Sequence, residues 1–321
     1  MIRRRTLLTT ALTAGAAIGL AACSKDEKKA SGPSDAGSNA SDGGGVDALS
    51  GVKVSEDLGA EPTITFKAPL TVTQASAKVV VPGDGEKIAE GDTLIWNSVY
   101  ADAQTGDVLQ SWWKGAPATG VTVTKEAIGE AAFSFLTTAT VGSRFAMTGW
   151  QRDQAGQPRA LVQVADILRK VQPLRAEGQK AEVPAHLPAV TLDDKGAPSI
   201  AGPWKGEIPA STERHILVTG NGEKTRSGDY LTMQYTGWTA DDAKQFDSSW
   251  ERGTPFGFVQ GSGYVIEGWD KHLLDLPVGS QVMLVIPAKE AYGEEKSEQM
   301  PLAGRDLLFV VDVLDAAHRK G

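Results

Sequence analysis

The sequence predicts an α+β protein made of two copies of one domain, each an antiparallel sheet curled around one short helix. Three observations lead there. Gly-rich motifs recur at one fixed offset, several segments read as strands, and one short stretch carries a helical apolar stripe. The 321-residue chain is 41% hydrophobic and 22% charged, a balance that suits globular domains and leaves length for about two of them.

Taken in order, the chain opens on a basic Met1-Ile2-Arg3-Arg4-Arg5 and an apolar stretch from Leu7 to Ala22, ending in Leu20-Ala21-Ala22-Cys23. That stretch is short and rich in Ala and Gly, so residues 1–22 are expected to be a signal peptide rather than a spanning helix. Leu-Ala-Ala-Cys resembles a bacterial lipobox, which makes Cys23 the expected lipidation site and places the chain outside the cytoplasm, anchored to the cell membrane by acyl chains alone. Residues 23–47 hold almost no large apolar side chain and are expected to be a flexible tether, because such a segment buries too little to offset its ordering entropy.

Two similar regions follow. Gly83-Asp84-Gly85-Glu86-Lys87 with Gly91-Asp92-Thr93-Leu94 reappears as Gly220-Asn221-Gly222-Glu223-Lys224 with Gly228-Asp229-Tyr230-Leu231, an offset of 137. The same offset takes Val141-Gly142-Ser143 to Val278-Gly279-Ser280. Asp166-Ile167 answers Asp312-Val313 at 146, so the first copy is shorter between those points. A period this long marks a duplicated domain rather than a solenoid. The copies are expected at 48–172 and 188–318, with Pro173, Pro184 and Pro188 marking a Pro-rich linker over 173–187.

The second copy gives the clearer elements. Leu231, Met233 and Tyr235 alternate with Thr232, Gln234 and Thr236, the pattern of a half-buried strand. Gln281 to Ile286 is apolar and stopped by Pro287, and Leu307 to Leu314 is a third strand. Ile266, Trp269 and Leu273 recur at helical spacing and predict one short helix. Gly279 marks a tight turn before the strand it precedes.

Several chemistries are excluded. The 40 acidic side chains outnumber the 32 basic ones, giving a net charge of −8 and arguing against nucleic acid, whose phosphates need a basic face. One Cys excludes a disulfide framework and a thiolate metal site. No nucleophile elbow, H-E-x-x-H, Walker or EF-hand pattern occurs. His186, His215, His272 and His318 lie far apart and lack ligand spacing. No metal and no cofactor are therefore expected.

What remains is aromatic. Four of the five tyrosines (Tyr230, Tyr235, Tyr264 and Tyr292) fall in the second copy, which also carries the series Tyr235-Thr236-Gly237, Phe246-Asp247-Ser248-Ser249, Pro255-Phe256-Gly257-Phe258, Val265-Ile266-Glu267-Gly268-Trp269, Ala291-Tyr292-Gly293 and Leu307-Leu308-Phe309. In order, type and spacing this series resembles an FKBP-type peptidyl-prolyl cis-trans isomerase over roughly Ser211 to Ala316. The resemblance implies two FKBP-like domains, the first degenerate, and assigns roles in the second. Trp269 is the implied floor of a proline pocket; Tyr235, Phe246, Val265, Ile266 and Phe309 its walls, with Phe256 beneath. The Ile266 amide and the Tyr292 hydroxyl would hold peptide carbonyls. Asp247 would bond Tyr235 and pair with Arg252. Between Tyr292 and Phe309 the loop is Glu-rich, so only Met300 and Leu302 supply an apolar rim.

Proline-containing segments of exported proteins are the implied substrates, and a macrolide-type inhibitor is a further implied ligand. The alternative is a non-catalytic, chaperone-like lipoprotein that grips such segments without turnover. At the 137 offset the first copy carries Ser98 for Tyr235, Leu109 for Phe246, Gln110 for Asp247, Gly115 for Arg252, Thr119 for Phe256, Ala132 for Trp269 and Ala155 for Tyr292. It is expected to keep the fold without the pocket and to serve in spacing or partner binding, with Trp112-Trp113 packed in its core; an exposed contact site is the alternative for that pair.

Overall fold

Alternating apolar residues need a sheet with a covered face, and each copy builds one of the same design. In the computed structural model, residues 48–153, 156–296 and 298–320 are described. The expected signal peptide, tether and Cys23 lie outside them. In the first copy, strands run Ser76–Val81, Thr93–Asp102, Val108–Ser111, Thr119–Thr122, Arg144–Arg152 and Pro158–Lys170. In the second they run Glu213–Thr219, Tyr230–Thr239, Gln245–Ser248, Phe256–Val259, Gln281–Ile286 and Leu307–Ala317. All ladders are antiparallel. In the second copy Tyr230–Thr239 is paired by Leu307–Ala317 on one side, and by Gln245–Ser248 and Phe256–Val259 on the other. Thr93–Asp102 has the same three kinds of neighbour.

The correspondence reaches the irregularities. The first edge strand bulges between Val79 and Val81, and its counterpart between Ile216 and Val218. The central strand shifts register at Ile95/Trp96 and at Thr232/Met233. A bulge adds twist and bend, so a copied bulge copies the curl of the sheet. The enclosed helices are Lys125–Leu136, with a kink at Gly129, and the shorter Glu267–His272.

The expectation of half-buried strands needs correction. Tyr230–Thr239 is buried along its whole length, because the sheet's outer face is also covered. A short hairpin, Val190–Leu192 with Pro198–Ile200, lies over that face with Trp204, and Leu187, Leu217, Trp238, Met283 and Val310 form the buried layer beneath. In the first copy the hairpin Lys53–Val54 with Ile64–Thr65 does the same over Ala146, Val162 and Val164. Each copy therefore has three layers: hairpin, sheet and helix.

The expected linker, 173–187, is also corrected. Gln179–Lys180 pairs with Val218 and Thr219 as the edge strand of the second sheet. The Ala181 amide donates to Leu217 O and the Glu177 amide to Gly279 O. Gly178 permits this approach, since a Cβ there would lie 2.0 Å from the Thr219 carbonyl oxygen. Backbone groups at an open sheet edge find partners in whatever chain lies alongside, and here that chain is the supposed linker.

The copies touch directly. The Tyr230 ring enters a seam with Ile95, Ala118, Val171 and Leu314, and its hydroxyl donates to Gly120 O at 3.1 Å. A Cβ on Gly120 would sit 2.5 Å from that ring. Arg169 forms a two-pronged pair with Asp315, at 3.0 and 2.7 Å. Trp112, expected in the first copy's core, packs against this seam instead. Trp113 donates to Gly59 O.

One buried carboxylate shows how the copies diverged. Fully buried Arg144 grips Asp166 through Nε and Nη2 in the first copy. The matching pair in the second is Gln281 and Asp312: the Gln281 amide donates to Oδ1, and Ala176 N–H to Oδ2, each at 2.7 Å. With no cation beside it, burial pushes the Asp312 carboxyl up to about 6, against the lowering effect of those two donors. The folded chain thus holds a proton that the unfolded chain has released. The resulting stabilisation is complete below the unfolded value of 3.8 and is lost as pH rises through about 6. We predict that Asp312→Asn removes this slope. Between about pH 4 and pH 7 the stability of the variant should gain on the parent by up to about 3 kcal/mol in urea unfolding. Parallel pH profiles for the two proteins would contradict it.

Candidate active site

The inner face of the second sheet gathers most of the aromatic series onto one helix. Glu267–His272 is short, and Ile266 caps its start with extended backbone angles. At that position the Ile266 amide precedes the helical ladder and has no intrahelical acceptor. Gly268 lets the helix lie close to the sheet, since a Cβ there would be 2.7 Å from Ile286 Cγ2. That approach drives Trp269 down among the strands, where it is 3% exposed.

Rings meet the indole edge to face. Tyr235 lies 5.1 Å from it at 88° and Phe309 5.2 Å at 80°, the geometry that aromatic quadrupoles favour. Phe256 and Phe258 stand 6.1 and 6.0 Å away. Phe246 meets Phe309 at 5.5 Å and 86°. Phe246, Phe256, Val265, Ile266 and Leu302 are all partly buried and packed on the core cluster that contains Trp269. Floor and walls therefore assemble as one group. Tyr292, 40% exposed, stands near Asp247, and burial first, then the Asp247 charge, raises its hydroxyl above the usual tyrosine range. Met300 is 47% exposed and projects into solvent, so of the two rim residues Leu302 alone packs on this cluster.

Gly237 makes the ring arrangement possible. It sits in the sheet between Asp247 on one neighbouring strand and Phe309 on the other. A Cβ there would lie 2.6 Å from the Phe309 ring and 2.7 Å from Phe246. The two rings close over the space that a side chain would fill. The sequence displays this glycine but not what it makes room for.

A polar clasp holds one wall. The Tyr235 hydroxyl donates to Asp247 Oδ2, and Arg252 donates to Asp247 Oδ1 and, at 2.9 Å, to the Tyr235 oxygen. The Arg252 guanidinium also lies over the Tyr235 ring, 5.4 Å from its centre. Burial, and then the bond to Asp247, pushes the Tyr235 hydroxyl up to about 12, so it stays protonated and donating at any ordinary pH. Asp247 is thereby a fastener for Tyr235 rather than a free base. The Tyr235 backbone amide is fixed as well, donating to Ser249 Oγ at 2.8 Å. By contrast, the Trp269 indole N–H has no partner among the described residues. The same is true of the Trp96 indole in the first copy, so the unmet donor does not by itself mark a site.

Two neighbours are given no site role in the sequence reading. Phe258 stacks on Phe256 at 5.7 Å and 24°, and Tyr264, largely exposed, lies nearly parallel to Phe256 at 6.5 Å. The F-G-F spacing gave the only signal for Phe258.

The first copy fills the same space differently. Ala132, at the place of Trp269, is buried in its core, and the missing ring volume returns from the strands as Trp96 and Phe145, 5.5 Å apart. Ser98, at the place of Tyr235, accepts from the buried Gln163 amide at 2.9 Å. Leu109, at the place of Phe246, is exposed, and Gly115, at the place of Arg252, ends a helical turn at φ +88. Ala155, the counterpart of Tyr292, lies outside the described residues.

Comparison with known proteins shows the family of the second copy. The family described as FKBP-type peptidyl-prolyl cis-trans isomerase matches residues 221–314. FK506-binding protein 1 of Debaryomyces hansenii is 43% identical over 108 residues, 33% of this chain and 96% of that one. FK506-binding protein 2 of Emericella nidulans is 45% identical over 92 residues, 29% of this chain and 67% of that one. Its namesake in Gibberella zeae is 43% identical over 91 residues, with 28% of this chain spanning 46% of the relative. Among solved structures, FkpA from Escherichia coli aligns at 28% identity with a TM-score of 0.31, over 41% of this chain and 53% of that one. Through its second domain, the chain belongs to the FKBP-type peptidyl-prolyl cis-trans isomerase family.

Proposed function

We propose that the ring cluster of the second domain is where this isomerase turns X–Pro bonds, and that its substrates are proline-containing segments of exported proteins. One observation carries the reading: a buried indole ringed at right angles by Tyr235 and Phe309, beneath side chains that keep part of their surface in solvent.

The mechanism follows from the bond itself. Amide resonance sets a rotation barrier of about 18–20 kcal/mol, and twisting breaks that resonance. The twisted imide is less polar than the planar one, so water favours the planar ground state. A dry apolar wall removes that advantage and lowers the barrier by difference. Each ~1.4 kcal/mol gained this way is a tenfold acceleration. In this scheme Trp269 is the floor beneath the proline ring, and Tyr235, Phe246, Val265, Ile266 and Phe309 are the walls, with Phe256 beneath. The Ile266 N–H and Tyr292 hydroxyl hold the flanking carbonyls, while Asp247 and Arg252 keep Tyr235 upright. Leu302 closes the rim and Met300 touches longer substrates. The same cradle would take a macrolide-type inhibitor, as the names of the FK506-binding relatives suggest.

The export reading rests on the basic start, the apolar stretch and Cys23. Among the described residues no helix is long and apolar enough to cross a membrane. We place the chain outside the cytoplasm, held by acyl groups on Cys23.

The rate of cis-to-trans conversion of a proline peptide, measured on the full chain, tests the site. Trp269→Leu and Asp247→Ala should each lower kcat/KM by about tenfold or more, and Phe133→Leu in the first domain should leave it unchanged. Circular dichroism shows whether each variant folds. Peptide binding that quenches Trp269 without any acceleration would favour the non-catalytic alternative. For the anchor, Cys23→Ser should move the protein from the membrane to the aqueous fraction of cells; equal partitioning of both forms would remove the lipid claim.

A further inference from the structure

The four histidines are scattered in the sequence, yet the fold brings two of them together on the face of the second sheet away from Trp269. Along Glu213–Thr219, residues 213 and 215 share one side, because side chains alternate along a strand before its bulge. Their ladder partners Val285 and Met283 belong to the outer clusters with Trp204, while the intervening Ile216 packs on the inner core, which identifies that side as the outer one. Arg214 points elsewhere, donating to the carbonyls of His272 and Leu274, so its charge is not beside Glu213 and His215.

The third member comes from the corrected linker. His186 directly precedes Leu187, whose side chain is buried against Leu217, Trp238 and Met283. The strap is thus fixed beside the strand at the residue next to this histidine. The His186 ring lies 5.7 Å from His215 and meets the edge of Trp204 at 5.8 Å. His215 Nε2 stands 3.2 Å from Glu213 Oε2. One ligand atom from each of His186, Glu213 and His215 lies within 4.8 Å of the other two.

We propose that His186, Glu213 and His215 form a binding site for a divalent transition-metal ion of the zinc type. Two imidazoles and a carboxylate are a recurrent three-ligand set for such ions, with a fourth position left for water or another ligand. With bonds of about 2.0–2.2 Å, tetrahedral ligand atoms sit roughly 3.3 Å apart. The His215–Glu213 pair already has that spacing. His186 is exposed, so a side-chain rotation can bring its ring nitrogen in without disturbing the core. Calcium and magnesium prefer oxygen ligands and are not expected here. A bound ion would staple the 176–190 strap to the sheet edge. The site lies on the opposite face from the ring cluster and stands or falls independently of the isomerase reading.

Calorimetric titration of the full chain with Zn²⁺ tests it. One equivalent should bind. His186→Ala, Glu213→Gln and His215→Ala should each weaken binding at least by the roughly 10–100-fold that follows loss of a group merely orienting a ligand. His272→Ala and His318→Ala should leave it unchanged. All three proposed ligands lie at the surface or near it, and circular dichroism verifies the fold of each variant. Co²⁺ in the unaltered chain gives an independent reading: intense visible bands of a low-coordinate site are expected. The absence of saturable Zn²⁺ binding, binding that survives the triple substitution, or a Co²⁺ spectrum like that of the aqueous ion would overturn the proposal.

Discussion

The second domain depends on Trp269, carried by a short helix and buried against the sheet. An indole on a two-turn helix must be driven between strands, and everything around it answers to that demand. Gly268 lets the helix close on Ile286, Gly237 lets Phe246 and Phe309 meet over the sheet, and the Asp247–Arg252 clasp stops Tyr235 from swinging into the space. Edge-to-face contacts between these rings add roughly 0.5–1.5 kcal/mol each beyond their buried area. The unpartnered indole N–H costs about 1–3 kcal/mol in return.

The first domain shows the alternative. Its strands, bulges and covering hairpin repeat those of the second, but the indole has moved from the helix to the strand at Trp96, and Ala132 lets the helix settle without it. The polar clasp is gone as well: Ser98 and Gln163 bond each other inside the sheet. One backbone plan thus supports a ring cluster around a helix-borne indole in one copy and strand-borne rings in the other. Coupling between them runs through Tyr230, whose ring needs the bare backbone of Gly120 across the seam. The two domains thus meet through a packed seam as well as through the chain that joins them.

Much of this was legible in the sequence. The offset of 137 carried the duplication, since matched glycines at tight turns keep their spacing when most other residues drift. Alternation located the central strand, and the Ile266, Trp269, Leu273 spacing located the helix. The ring set was legible only through its likeness to a family, because no local pattern says that Phe246 and Phe309 meet over Gly237. The outer covering was missed: Val190–Leu192 and Pro198–Ile200 are too short for periodicity to register, and polar Thr232, Gln234 and Thr236 hid the burial of their strand's second face. The strap was missed because three prolines resemble a linker while leaving Gln179 and Lys180 free to pair. His186 and His215 come together only through that strap, so no spacing rule could have joined them.

The central claim is that isomerisation here needs a dry, correctly shaped wall and no proton transfer. Comparing the catalysed rate in H₂O and D₂O for the full chain tests it most directly. Non-covalent twisting in the ring cluster gives a solvent isotope effect of about one and a rate that ignores pH across the neutral range. An isotope effect of about two or more, with an ionisation visible in the pH profile, would mean that a side chain moves a proton in the rate-limiting step, and the account would be wrong.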